Sequence, residues 1–136
     1  MRAVSGSTYD ALASRIRETL PVALCTVIEG PGTGAVMAVS PEGHLHGSLG
    51  NEELDRVVLR DAVGELEAAR TVVRHYGPQG QSTPEDLHDT PTVKVFIESF
   101  APPPRMWIFG AVDFTAALAR VAKVLGYHVT VCDARE

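Results

Sequence analysis

The closing part of the sequence, from Met106 to Glu136, most constrains what this chain folds into. An apolar run ends at Gly110, an amphipathic segment follows, and a second apolar run ends at Asp133. This order is the layout of the opening β-α-β unit of a dinucleotide-binding fold, in which a glycine ends the first strand and an acidic residue follows the second. The pattern predicts two strands joined by a helix, with Gly110 and Asp133 as candidate nucleotide-binding residues.

The turn after Gly110 departs from the nucleotide-binding pattern. Val112 and Thr115 replace the second and third glycines, and Asp113 adds a negative charge at the start of the helix. The second glycine normally lets the backbone approach the pyrophosphate, and a carboxylate competes with phosphate for the helix N–H groups. The preferred interpretation is therefore a Rossmann-like scaffold whose phosphate site is obstructed, and binding of NAD(P) or FAD is the alternative.

The composition is that of an ordinary globular protein. The 136 residues carry a net charge of −5, and 45% of them are hydrophobic. The acidic balance gives no reason to expect nucleic acid as a partner, and no apolar run approaches the roughly 20 residues that cross a bilayer. Cys25 and Cys132 lie far apart in predicted strands, so we expect two buried thiols in a cytoplasmic protein rather than a disulfide framework.

Helix and strand signals alternate before the closing unit. A capping box at Ser7 predicts a helix that ends at Pro21, and Asn51 caps a second helix. Apolar runs predict strands over residues 22–28, 35–39, 45–49, 71–76 and 92–97. The sequence therefore predicts an α/β fold, with an α+β module over residues 1–100, a proline-rich linker over 101–104 and a partial Rossmann-like β-α-β unit over 105–136.

Two further patterns concern loops and metals. Residues 77–91 are polar and proline-containing, which predicts a long loop. His44 and His46 alternate on a predicted strand, so we expect them to share a face. Two imidazoles without a third ligand do not make a metal site, and no other histidine completes a metal-binding spacing. We therefore predict no metal-ion site.

The order of these segments resembles the XdhC/CoxI family, the accessory proteins of molybdenum hydroxylases such as xanthine dehydrogenase and carbon monoxide dehydrogenase. The resemblance covers nearly the whole chain. Four parts of the sequence carry it: residues 20–29 as the opening strand, 42–50 as a glycine-serine turn before the second helix, 93–98 as a closing strand, and 107–110 followed by 126–133 as the start of the Rossmann module.

The resemblance implies a function as well as a fold. It implies a cytoplasmic homodimer that binds the molybdenum cofactor, assists its sulfuration and delivers it to an apo-hydroxylase, without catalytic turnover. It also implies that Gly47, Ser48 and Gly50 belong to a cofactor-facing turn and that Gly110 lies at a second ligand edge. With Asp133, these are the candidate binding residues, and we predict no catalytic residue.

The chain differs from the family at two cysteine-containing positions. Asn51 and two glutamates follow Gly50 where the family has glycine-glycine-cysteine, and residues 87–91 replace a cysteine-glycine-glycine. We therefore expect a divergent and shortened member. A structural or dimerisation module that has lost its ligand is a third hypothesis. Strand edges at Val131 and Cys132 would be unpaired, so we also expect self-association through the closing unit.

Overall fold

The structure, a computed structural model, describes residues 7–77, 80–81, 92–110 and 113–134. The chain divides into two compact units, Met1–Ala101 and Pro102–Glu136. Helices combine with an antiparallel sheet in the first unit and a parallel strand pair in the second, which confirms the predicted α/β class. Most of the predicted 77–91 loop falls outside the described residues. Within the described ranges, every helix is too short or too polar to span a bilayer.

The first unit contains two helices and a five-stranded sheet. Its elements are α1 (Thr8–Arg17), β1 (Val22–Glu29), β2 (Val36–Ser40), β3 (Gly43–Gly47), α2 (Glu52–Glu67), β4 (Val72–Tyr76) and β5 (Val93–Phe100). The strands lie in the order β3-β2-β1-β5-β4, and each neighbouring pair is antiparallel.

Strand β1 lies at the centre of this sheet and is buried on both faces. Ala23 and Cys25 belong to the main core, which α2 covers. Leu24 pairs with Ala38 of β2, and both side chains lie on the opposite face, where α1 contacts β1, β2 and β3. A strand covered on both faces has a continuous apolar sequence rather than an alternating one. This explains why the run from residue 22 to 28 identified β1 correctly.

Helix α1 begins as predicted and ends earlier. Ser7 and Asp10 form the capping box, since the Asp10 N–H donates to Ser7 Oγ at 3.1 Å and the Ser7 N–H donates to Asp10 Oδ2 at 2.8 Å. The predicted end at Pro21 is wrong. Thr19 adopts a left-handed φ of 57°, and the following Leu20 N–H donates to Arg15 O at 2.9 Å. This left-handed closure stops the helix at Arg17, before the proline acts.

Strand β3 differs from its prediction in position and in the direction of its histidines. It spans Gly43–Gly47 rather than 45–49. His46 pairs with Ala38 and His44 with Val39, so the intervening residue forms a β-bulge. Because Ala38 and Val39 face opposite sides of the sheet, the two histidines do so as well. The prediction that they share a face is therefore wrong.

The second unit is a β-α-β arrangement of β6 (Arg105–Phe109), α3 (Asp113–Val124) and β7 (His128–Cys132). The two strands are parallel, and Phe109 pairs with Cys132 at their carboxyl ends. Thr115 and Ala122 are the buried residues of α3. The predicted amphipathic segment forms this helix, and large apolar residues in it and directly after it are exposed: Phe114, Leu118, Val121 and Leu125.

Candidate functional site

The turn between β3 and α2 contains three of the five predicted binding residues. The Ser48 hydroxyl donates to Asp55 Oδ2 at 2.6 Å, and the Leu49 N–H donates to Asp55 Oδ1 at 2.7 Å. The Gly50 N–H in turn donates to Ser48 Oγ at 3.0 Å. A single carboxylate on α2 therefore fixes the turn, and it takes up the hydroxyl and amide donors that an anionic ligand would need.

The start of α2 is also satisfied within the chain. The Asn51 side chain accepts hydrogen bonds from the N–H groups of Glu53 at 2.9 Å and Leu54 at 3.1 Å. Glu52, Glu53 and Asp55 place three carboxylates in the first turn. These charges stabilise the helix through its dipole and repel an anion at the same position.

The two glycines of the turn have different structural roles. A Cβ at Gly47 would lie 2.3 Å from Val36 O and 2.6 Å from Thr8 Oγ1, and the residue has a φ of +87°. Gly47 therefore lets the turn pack against β2 and α1. Gly50 also has a positive φ, of +95°, but no atom lies within 4 Å of its Cβ position. Of these two glycines, Gly50 is the one with open space beside the backbone.

Gly50 lines a cavity at one end of the sheet, beside the start of α2. The cavity has a volume of about 200 Å³. Its lining residues come from the β1–β2 turn, the β3–α2 turn, α2 and β5: Pro31, Gly32, Leu49, Gly50, Asn51, Leu54 and Val93. Ligand pockets usually measure roughly 300–1,000 Å³. This cavity is below that range and is lined mainly by apolar groups and backbone.

The described residues around this cavity do not fit the molybdenum cofactor that the resemblance implies. The cofactor carries an anionic phosphate and a sulfur-bound metal, which call for cations, free N–H donors or thiolates. None of the seven lining residues is cationic. Burial, reinforced by the Asp55 carboxylate, raises the pKa of the nearby Cys25 thiol to about 12, so this thiol stays protonated at neutral pH.

The remaining candidate residues, Gly110 and Asp133, lie in the second unit. They directly follow the paired residues Phe109 and Cys132, so both lie at the carboxyl ends of adjacent parallel strands. Gly110 has a φ of +104° and open space at its Cβ position. Its N–H donates to Cys132 O at 2.8 Å, and its carbonyl accepts from Thr115 Oγ1 at 2.5 Å. The threonine at the third glycine position is thus buried with its hydroxyl satisfied.

The turn after Gly110 was expected to obstruct a phosphate site through Val112 and Asp113. Val112 lies outside the described residues, whereas Asp113 is the exposed first residue of α3.

Within the described part of the chain, no group of three or more metal-binding side chains lies close together. His46 Nδ1 is 3.0 Å from the Thr8 hydroxyl, and His44 Nε2 is 2.7 Å from the Gly47 carbonyl.

The sequence did not identify the cavity or the residue that organises the turn. Val93 was predicted only as part of a strand, and Pro31 and Gly32 belong to no motif that indicates a site. Asp55 lies in the first turn of the helix that Asn51 was predicted to cap. The usable signal was a carboxylate in the first turn of a helix that follows a serine-containing glycine turn, because such a side chain reaches back to the turn donors.

The comparisons with known proteins give a family match for part of the chain. Residues 15–77 match the model of the XdhC and CoxI family. No curated protein matches the sequence. Among solved structures, a Bacillus halodurans chain described as a xanthine dehydrogenase aligns with a TM-score of 0.45 and 16% identity, over 96% of this chain and 63% of that one. The present chain thus spans less than two thirds of that structure's length.

The family match covers the end of α1, the first three strands, α2 and β4. It therefore includes the whole Gly47–Asn51 turn and Asp55. This confirms the resemblance predicted from the sequence: residues 15–77 are similar to the XdhC and CoxI family.

Proposed function

We propose that this chain is an accessory or maturation protein for a molybdenum hydroxylase of the xanthine dehydrogenase type, acting by binding rather than by turnover. The observation that carries the proposal is the family match over residues 15–77. The matched segment supplies the β3–α2 turn, the start of α2 and most of the cavity lining.

Of the two binding roles that the family suggests, we propose contact with the acceptor enzyme rather than carriage of the molybdenum cofactor. A cavity of about 200 Å³ lined by Leu49, Leu54 and Val93 has the size and character to receive one aromatic or aliphatic side chain. The carboxylates of Glu52 and Glu53 lie exposed at the start of α2. The preferred partner segment is therefore an apolar anchor flanked by basic residues.

Co-purification tests this proposal. The chain is expressed with the apo form of a xanthine dehydrogenase-type hydroxylase, and we expect the two proteins to elute together. Gly50→Trp fills the open side of the cavity and should abolish the complex. Gly43→Trp is the matched control, because Gly43 also has a positive φ and open space at its Cβ position but does not line the cavity.

The outcome also separates the two binding roles. Chain purified alone should retain no molybdopterin, measured by the fluorescence of its oxidised pterin. Retention of stoichiometric pterin would favour cofactor carriage. Absence of both pterin and hydroxylase would reject the accessory role.

Nucleotide binding is a second candidate function, because the strand register places Gly110 beside Asp133. In a dinucleotide site these positions would contact the pyrophosphate and a ribose hydroxyl, respectively. Titration calorimetry with NAD(H), NADP(H) and FAD tests this reading. Binding that is lost in Asp133→Ala would support it, and the absence of heat at millimolar ligand would reject it.

We further propose that the chain works as a homodimer in the cytoplasm. Cys25 and Cys132 are both free thiols, which favours a reducing compartment. Fractionation of cells that express the tagged chain tests the location, and sedimentation equilibrium of the purified chain tests the oligomeric state.

A further inference from the structure

The cavity beside the start of α2 has walls that close backbone contacts hold in place. A Cβ at Gly30 would lie 2.6 Å from Thr92 O, and one at Gly32 would lie 3.0 Å from Leu49 O. The β1–β2 turn therefore packs against the residue before β5 and against the β3–α2 turn. Within the β1–β2 turn, the Thr33 hydroxyl donates to Gly30 O at 2.6 Å. A ligand that enters this cavity meets a preformed site, so its binding requires little ordering of the chain.

Asn51 is the lining residue of this cavity that has a polar side chain, since the other six are glycine, proline, leucine or valine. Its Oδ1 accepts the N–H groups of Glu53 and Leu54 at 2.9 and 3.1 Å. These bonds fix which amide atom faces the helix, so the NH2 group is the part of the side chain left for a ligand, and it acts only as a donor. A mainly apolar pocket with one fixed polar group selects ligands that can bond to that group.

Negative charge around Asn51 decides which acceptor its NH2 group binds. Glu52 and Glu53 are exposed, and Asp55 adds a third carboxylate in the same turn of α2. Arg56 pairs with Glu53, which leaves an excess of negative charge. A carboxylate or phosphate oxygen is repelled at this position, whereas a neutral carbonyl oxygen is not.

An extended peptide segment presents a neutral carbonyl oxygen beside each of its side chains. Within a helix, main-chain carbonyls already accept hydrogen bonds from the same helix, whereas an extended segment leaves them free to bond with a partner. The cavity and the Asn51 amide group together therefore favour an extended segment over a helical one.

We propose that Asn51 determines the specificity of this cavity. Its Nδ2 donates to a main-chain carbonyl of an extended segment of the acceptor hydroxylase, while an apolar side chain next to that carbonyl enters the cavity. This inference rests on the proposed function and adds the conformation of the partner segment and the residue that recognises its backbone.

Asn51→Ser tests the inference in the complex with the apo-hydroxylase. Serine caps a helix about as well as asparagine, so the urea midpoint of the variant should stay close to that of the unmodified chain. The variant lacks the amide donor, and its dissociation constant for the hydroxylase should rise roughly fivefold. An unchanged dissociation constant for Asn51→Ser, in a complex that Gly50→Trp abolishes, would overturn the inference and leave the hydroxylase-binding proposal standing.

A second measurement uses the chain without the hydroxylase. The ¹⁵N-labelled chain is titrated with N-acetyl-leucine methylamide, which carries one apolar side chain between two peptide groups. The NMR signals of the Asn51 side-chain NH2 group and of the Gly32 N–H should shift together, and Gly50→Trp should remove both shifts. If the Asn51 NH2 signals do not move, the inference is wrong. If they move but the hydroxylase does not bind, the inference about the cavity stands and the proposed partner is wrong.

Discussion

The Ser48 hydroxyl lies 2.6 Å from Asp55 Oδ2, and the other oxygen of the same carboxylate accepts the Leu49 N–H at 2.7 Å. One side chain on α2 thereby holds two consecutive residues of the turn that the family resemblance predicts to be a binding site. A side chain of the following helix occupies the donors of this turn, and open space beside the backbone remains at Gly50. This relationship is why we favour a protein partner over an anionic cofactor at this site.

Removing the carboxylate should loosen the turn. We expect Asp55→Ala to lower the free energy of unfolding by about 2–3 kcal/mol, because the bonds involve a charged acceptor and the Leu49 N–H is left unsatisfied. Ser48→Ala should cost about 1 kcal/mol. In urea denaturation, the double variant should cost less than the two single changes combined, since they remove a shared bond. Strict additivity would show that the Ser48–Asp55 bond contributes nothing to stability.

Gly47 and Gly50 should respond differently to the same substitution. Gly47→Ala places a methyl group against the Val36 carbonyl and the Thr8 hydroxyl, whereas Gly50→Ala meets no atom within 4 Å. Both changes carry the cost of a positive φ, about 1–2 kcal/mol. We expect Gly47→Ala to cost at least about 2 kcal/mol more than Gly50→Ala in thermal unfolding. Equal losses would contradict the packing role assigned to Gly47.

The two cysteines should differ in reactivity. Cys25 is fully buried and its pKa is raised to about 12, whereas Cys132 is partly exposed. Since the thiolate is the reactive form, an aromatic disulfide reagent at neutral pH should label Cys132 first and Cys25 only after unfolding. Cys132→Ser should remove the fast phase and leave the slow one. Fast labelling of Cys25 in the native protein would show that its thiol is accessible and reactive, as a role in sulfur chemistry requires.

Local sequence signals predicted much of the fold. The Ser7–Asp10 capping box and the apolar run of β1 depend on near neighbours and on burial, and both were identified correctly. The end of α1 and the bulge in β3 depend on other causes. Thr19 adopts a left-handed conformation that threonine does not favour, so it cannot be predicted from the residue type. The bulge between His44 and His46 is defined only by pairing with β2.

The candidate site was predictable in part for the same reason. The glycine-serine turn was evident as a motif, but the cavity beside Gly50 exists only because Pro31, Leu54 and Val93 meet there from three different elements. No local pattern encodes that meeting. Family resemblance located the turn, and only three-dimensional packing showed that Asp55 occupies its donors.

Glu65 of α2 is a buried carboxylate. It is 2% exposed and accepts hydrogen bonds from Arg74 on β4 and, at 2.8 Å, from Arg70 Nε. The hydrogen bond from Arg74 is the main cause that lowers the Glu65 pKa below its ordinary value of 4.5, and Arg70 adds to it. These contacts link the helix to the edge strand, so the protonation state of Glu65 bears on the stability of the whole unit.

The free energy of unfolding should vary with pH in a way that depends on the ionisation of Glu65. A lowered folded-state pKa means that Glu65 stabilises the fold above its unfolded pKa of about 4.5 and that this contribution is lost as pH falls through the folded value. Glu65→Gln should cost about 2 kcal/mol near neutral pH, less than a fully buried pair because both arginines are partly exposed. In urea denaturation the gap between Glu65→Gln and the unmodified chain should narrow on acidification to about pH 3. Glu67→Gln, on the exposed side of the same helix, should show no such narrowing. A gap that stays constant with pH would mean that the ionised form of Glu65 does not stabilise the fold.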